Sequence, residues 1–128
     1  MRKLKFRVWN KTYKKMYFQD ELIIILDKDG VSTCFDIGSS FREYKETQED
    51  LVYMQYTGIE DVGNKEIYEG DIVEVSNCML ENESDFIGFI EYNNGGFKIN
   101  NRNRSRSIDD IMLSLKVIGN IYESKELL

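Results

Sequence analysis

Histidine and proline are both absent from this chain of 128 residues, cysteine occurs twice and tryptophan once. Without histidine there is no Ser-His or Cys-His dyad, no imidazole ligand for zinc, and none of the usual general base that titrates near neutrality. Cys34 and Cys78 form no C-x-x-C, and two thiols fall short of a four-cysteine metal site within one chain. In a reducing compartment they read as two thiols, at least one of them packed, rather than as a disulfide. Long apolar runs are missing as well. The longest, Leu22–Leu26, has five residues, against the roughly 20 of a membrane helix. Met1 to Arg7 alternates charged with apolar residues where a secretory signal would place an apolar region. These features imply no membrane association and a cytoplasmic protein. Neither G-x-x-x-x-G-K-[ST] nor G-x-G-x-x-G follows a strand signal, and Gly58, Gly63, Gly70, Gly88, Gly95 and Gly96 fall at turns or bends.

What is present suits a soluble globular domain. Hydrophobic residues make up 41% of the chain and charged residues 31%, which is ordinary for one folding unit of this length. The net charge of −6 conceals an asymmetry, because residues 1–18 carry seven cations and no acid and leave −13 on the remainder. The basic start is therefore a local feature on an acidic body.

The most organised stretch is Tyr53 to Val75. Val52, Met54 and Tyr56 alternate with Tyr53, Gln55 and Thr57, the period-two pattern of a half-buried strand. Gly58 breaks that run, and Glu60 to Lys65 supplies turn residues. Gly70-Asp71 is a second turn, and the β-branched run Ile72-Val73-Glu74-Val75 restarts a strand. Upstream, Leu4, Phe6 and Val8 alternate with Lys3, Lys5 and Arg7, so the first strand is expected to have one apolar and one cationic face, with Trp9 on the cationic parity. Met16-Tyr17-Phe18 is its hairpin partner. Leu22–Leu26, the turn at Asp27 to Gly30, and Val31 to Phe35 form a second hairpin. Asp27 and Asp29 do not match a calcium loop, which needs a further ligand before its glycine and a bidentate Glu near its end.

Ser40-Phe41-Arg42-Glu43 has the form of a capping box and predicts a short helix or ordered loop running to Asp50. Downstream, Phe86 to Tyr92, the turn Asn93 to Gly96 and Phe97 to Ile99 make a hairpin, with Gly88 marking a bulge, bend or close backbone approach. Ser107 can cap a helix whose apolar positions are Ile108, Ile111, Met112 and Leu115. Val117 to Tyr122 supplies a last strand. The expected fold is mainly β: N-terminal β-hairpins over residues 1–57, packed on a C-terminal SH3-like small barrel over residues 58–128 with one short helix.

The blocks KFRVWNKTYKKM, QYTGIEDVGNKEIYEGDIVEV, GFIEY and VIGNIYESKELL resemble, in that order, the YopX family of bacteriophage and prophage proteins. The stretch from Leu22 to Asp50 carries none of the resemblance. The family often has proline before the final Glu-Leu-Leu, where this chain has Lys125. The resemblance implies a phage or prophage context in a bacterial host, with a host or phage protein as partner. It supplies no biochemical activity.

Two readings of function follow, together with a weaker third. The first is a non-enzymatic accessory protein acting through sheet edges, expected to form a homo-oligomer because hairpin edges and Leu127-Leu128 offer unpaired surface. The second is weak, salt-sensitive binding of single-stranded nucleic acid by Lys3, Lys5, Arg7 and Trp9 together with Arg102, Arg104 and Arg106. Edge lysines also serve to prevent strand-to-strand aggregation, and the acidic remainder opposes a polyanion, so the first reading is preferred. The third is carboxylate catalysis by Glu66, Glu69 and Asp71, which around a turn are more often simply solvated. No residue is assigned a catalytic, metal or cofactor role.

Overall fold

The computed structural model describes residues 3–28, 30–37, 40–44, 50–77, 85–102, 104–109 and 113–128. Among them the chain is mainly β, as expected, with antiparallel pairing wherever consecutive strands pair. It divides into two compact units, one spanning Lys5–Met54 and the other Gln55–Leu128 together with Lys3 and Leu4.

In the N-terminal unit, β1 (Phe6–Asn10) pairs with β2 (Lys15–Tyr17) in the register Val8 to Tyr17 and Trp9 to Met16. Their turn is set by Asn10, whose buried side-chain oxygen accepts the N–H groups of Thr12 and Tyr13 at 2.9 and 3.0 Å. On its other side β1 neighbours β6 (Leu51–Glu60). A separate three-stranded sheet has the order β3 (Leu22–Asp27), β4 (Gly30–Ile37), β5 (Ser40–Tyr44). Val8, Leu22 and Leu51 form this unit's core, with Tyr17, Ile24 and Tyr53 packed on it. Thr33, buried in β4, shares a hydrogen bond with the Tyr53 hydroxyl at 2.5 Å.

The C-terminal unit holds the remainder of β6, β7 (Glu66–Tyr68), β8 (Asp71–Asn77), β9 (Phe86–Asn93), β10 (Gly96–Asn101), β11 (Arg104–Ser107) and β12 (Leu113–Asn120). Its five-stranded sheet, ordered β11-β10-β9-β8-β12, curls as a half-barrel around Ile67, Val73, Val75, Ile90, Ile99, Ile108 and Leu115. In β8, Val73 and Val75 lie in that core while Glu74 between them is exposed, but Ile72, on the parity of Glu74, is fully buried, so the strand is covered on both faces at its start and alternates only toward its end.

Turn chemistry agrees with the glycine and asparagine positions. Asn94 and Gly95, both with positive φ (51° and 82°), form the two-residue loop between paired Asn93 and Gly96, the geometry of a type I′ hairpin. Gly70 has φ 82° and is buried, its N–H donating to Ile90 and its carbonyl accepting from Ile121, each at 2.8 Å. Gly70→Val is expected to lower stability by at least about 1 kcal/mol through backbone strain alone. An unchanged midpoint in thermal unfolding would contradict that assignment.

Several expectations are corrected. Gly58 does not end its strand; β6 continues to Glu60, and the positive φ of Gly58 (86°) sits within a register shift between Tyr56 and Glu60. The capping box Ser40 to Glu43 is the strand β5, paired in register with β4 from Thr33 to Ile37, so sheet pairing overrides the local helix signal. Residues 45–49 of that expected helix lie outside the described residues. Ser107 ends β11 and Ile108-Asp109 is a turn, while Leu115 belongs to β12; residues 110–112 are outside the described set. Ile108 and Leu115, the described members of that spacing, are a turn residue and a strand residue buried in one core. The described helical segments are short 3-10 turns at Gln19–Glu21 and Lys125–Leu127, and no helix among the described residues is long and apolar enough to cross a membrane.

Candidate interaction surface

Three sets of side chains bear on function: the carboxylates around the β6–β7–β8 turns, the cations at the two ends of the sequence, and the sheet edges. Asp61, in the β6–β7 loop, organises the first. One of its oxygens accepts the N–H groups of Gly63 and Lys65 at 2.8 and 2.9 Å, and the other accepts the Val117 N–H at 2.9 Å. Its own N–H donates to Lys65 and its carbonyl accepts from Asn64, whose φ of 63° completes the tight loop. The next residue, Val62, donates to the Leu115 carbonyl at 3.0 Å. The loop therefore covers part of the outer edge of β12, where the register shift between Val117 and Gly119 breaks regular pairing. Burial works against the charged carboxylate, but the Val117, Lys65 and Gly63 N–H groups and the nearby Lys65 charge outweigh it and hold the Asp61 pKa below its ordinary value. Asp-x-Gly-Asn is an Asx-turn signal in the sequence. The bond to Val117 spans 56 residues and has no local signature.

Two of the three carboxylates that the sequence offers for catalysis accept backbone N–H groups of the fold. Asp71 is buried and accepts the Tyr68 N–H at 2.8 Å, closing the turn between β7 and β8. Glu69 accepts the Gln55 N–H at 2.9 Å and donates its own N–H back to the Gln55 carbonyl at 3.0 Å, which extends the β6–β7 pairing by a residue. Glu66 faces Glu60 in that same ladder. No group of His, Cys, Asp and Glu suited to a metal ion occurs among the described residues.

The cations expected to contact nucleic acid fall in two different units. Lys5, Arg7 and Trp9 belong to the N-terminal unit, whereas Lys3, Arg102, Arg104 and Arg106 belong to the C-terminal one. The expected cationic face of β1 is corrected: Arg7 is 5% exposed and Trp9 7%, so this strand is buried on both faces. Alternation in a sequence marks two faces but does not say that one of them meets water. Lys3 is exposed and Lys5 half-buried. Arg102 is exposed in the β10–β11 turn, Arg104 opens β11 opposite Asn101, and Arg106, half-buried, pairs in register with Ile99.

Among the described strands, β11 ends the five-stranded sheet and has β10 as its neighbour on one side. The Ile108 N–H donates inward to the Phe97 carbonyl at 3.2 Å. Because N–H directions alternate along an antiparallel strand, those of Arg106 and Arg104 also face β10, and those of Ser105 and Ser107 face outward. Both serines are exposed. From Tyr92 to Ile108 the sequence contains Lys98, Arg102, Arg104 and Arg106 and no acidic residue. This edge is thus cationic on an acidic protein.

A family model described as YopX protein matches residues 5–128. The chain belongs to the YopX family. Among solved structures, protein yopX from Bacillus subtilis is 20% identical, with a TM-score of 0.75 and 97% of each chain covered. Protein EF1440 from Enterococcus faecalis is 24% identical, with a TM-score of 0.67, covering 100% of this chain and 99% of that one. At these identities the likeness shows a shared fold, and the family match also spans Leu22 to Asp50, outside the blocks that carried the resemblance in the sequence. No curated protein matches the chain.

Proposed function

We propose that this YopX-family chain is a non-enzymatic protein-interaction module, an accessory protein of phage or prophage origin that works in the cytoplasm of a bacterial host. The observation that carries the reading is an exposed sheet edge, at β11, with backbone donors directed outward at Ser105 and Ser107. Strand addition at such an edge gives affinity through main-chain hydrogen bonds, and requires no catalytic group. The structural use of Asp71 in closing a turn and of Glu69 in extending the β6–β7 pairing supports it further, because those side chains hold the fold's own N–H groups.

Nucleic-acid binding is the second reading. Burial of Arg7 and Trp9 weakens it, since a phosphate or a base must reach the side chain it contacts. The net charge of −6 opposes a polyanion at long range. A tagged full-length chain incubated with host lysate, with and without nuclease, tests the preferred reading. Capture of a defined protein in near-stoichiometric amount, unaffected by nuclease, is the expected result. Capture that disappears with nuclease, or submicromolar binding of a labelled single-stranded oligonucleotide at physiological salt, would overturn it.

A further inference from the structure

Resting on the reading of the chain as an interaction module, we propose that the outer edge of β11 accepts an extended, acidic segment of a partner protein as an added antiparallel strand. Two independent observations meet at this edge. The first is geometric. The inward bond from Ile108 to Phe97 fixes the phase of the ladder, so the N–H groups of Ser105 and Ser107 lie on the side away from β10. They are two residues apart, the spacing at which an added antiparallel strand exchanges its hydrogen bonds. The side chains at those positions are small and exposed, and the Ser107 hydroxyl donates to the Asp109 carboxylate at the end of the edge.

The second observation is charge. Four cations and no acid fall between Tyr92 and Ile108, with Glu91 and Asp109 just outside that span, on a chain whose net charge is −6. Arg102 is exposed in the turn at the start of β11, and Arg104 and Arg106 alternate with the two serines along it. A strand laid against this edge runs along the backbone positions of Arg104 and Arg106 and ends at the exposed Arg102, and a carboxylate-bearing segment is the one whose charge complements this stretch. The opposite edge of the same sheet differs. There the Asp61 loop already occupies the Leu115 carbonyl and the Val117 N–H of β12, whereas β11 has no second neighbour among the described strands. A second copy of this chain and nucleic acid are alternative occupants that the experiment separates.

The test uses the full-length chain labelled with nitrogen-15 and a peptide alternating glutamate and valine over about eight residues, the length of an ordinary strand. Backbone amide shifts of Ser105 and Ser107 are expected to move on titration, and binding is expected to weaken as salt rises. The matched peptide with lysine in place of glutamate should bind at least about tenfold more weakly. Ser105→Pro removes an outward donor without removing a bond to β10 and should abolish the shift of the Ser107 amide. If that variant unfolds, Arg102→Glu, a change at an exposed turn, should still weaken the glutamate peptide by about tenfold.

Equal binding of both peptides, shifts confined to other strands, or a single-stranded oligonucleotide competing at lower concentration would each overturn the proposal. So would amide shifts at β11 that depend on protein concentration without peptide, which would assign the edge to a second copy. A partner captured from lysate equally well by the wild type and by Arg102→Glu would refute the β11 assignment while leaving the interaction-module reading standing.

Discussion

Gly88→Val is expected to lower stability by about 2–3 kcal/mol, because the added side chain overfills a closed part of the core. Gly88 is buried in β9, where it pairs in register with Val73 of β8. A Cβ at this position would lie 2.8 Å from the Asn100 carbonyl oxygen and 2.9 Å from the Ile99 Cγ2 atom. Ile99 is fully buried in the core of the half-barrel, and the Asn100 backbone is part of β10, so neither can withdraw without moving β9 from β10. The position needs glycine for space. Gly95 is the useful contrast, since its φ is 82° and a Cβ there would meet nothing within 4 Å. Gly95→Ala should therefore cost only about 1 kcal/mol, from backbone strain without a clash. Thermal unfolding measures both, and the valine variant should melt on the order of 10 °C lower than the parent. A midpoint within a degree or two of the parent would mean that β9 and β10 are not as close at Gly88 as described.

The contrast also shows which parts of the fold were legible in the sequence. Asn94-Gly95 and Gly70 announce themselves because positive φ restricts residue type, and that is a local property. The close approach at Gly88 was readable only as one of several alternatives, because the neighbour that demands it lies on another strand. Arg7 and Trp9 misled for a related reason. Their parity along β1 was correct, but whether a second face is covered depends on the remainder of the unit. Ser40 to Glu43 satisfies a helix-start pattern, yet its register with β4 makes it a strand. A capping signal is worth about 1 kcal/mol, less than the pairing and burial available to a whole strand. In the candidate interaction surface the arginines were visible as a cluster. Their position along a sheet edge was not, since Ser107 was read as a helix cap and the strand β11 was not anticipated.

Replacing Asp61 with alanine is expected to cost about 1–2 kcal/mol at neutral pH, and the cost should fade in acid. The carboxylate of Asp61 accepts three backbone N–H groups, two within its own loop and one from Val117 on β12. Alanine leaves all three without that acceptor. Asp61 is half-exposed, so water replaces part of what is lost, and the cost stays well below the sum of three buried bonds. The acid dependence follows from linkage. Burial raises the pKa of Asp61, the three N–H groups and Lys65 lower it by more, and the net displacement is downward from 3.8. A carboxyl whose folded pKa lies below its unfolded value contributes stability that is fully present above the unfolded pKa, about 3.9. That contribution is lost as pH falls from there through the folded value, because the unfolded chain takes up the proton first. The gap between wild type and Asp61→Ala, read from urea unfolding at a series of pH values, should be constant from about pH 7 to 5 and narrow below about pH 4. Asp61→Asn separates the two arms of the network: one amide oxygen can serve Gly63 and Lys65, but the NH2 group then faces the Val117 N–H, donor against donor. That variant should keep its loop and loosen β12, with faster hydrogen exchange at Val117 than at Lys65. A gap between wild type and Asp61→Ala that does not narrow in acid would mean that the charged carboxylate does not hold the loop to β12.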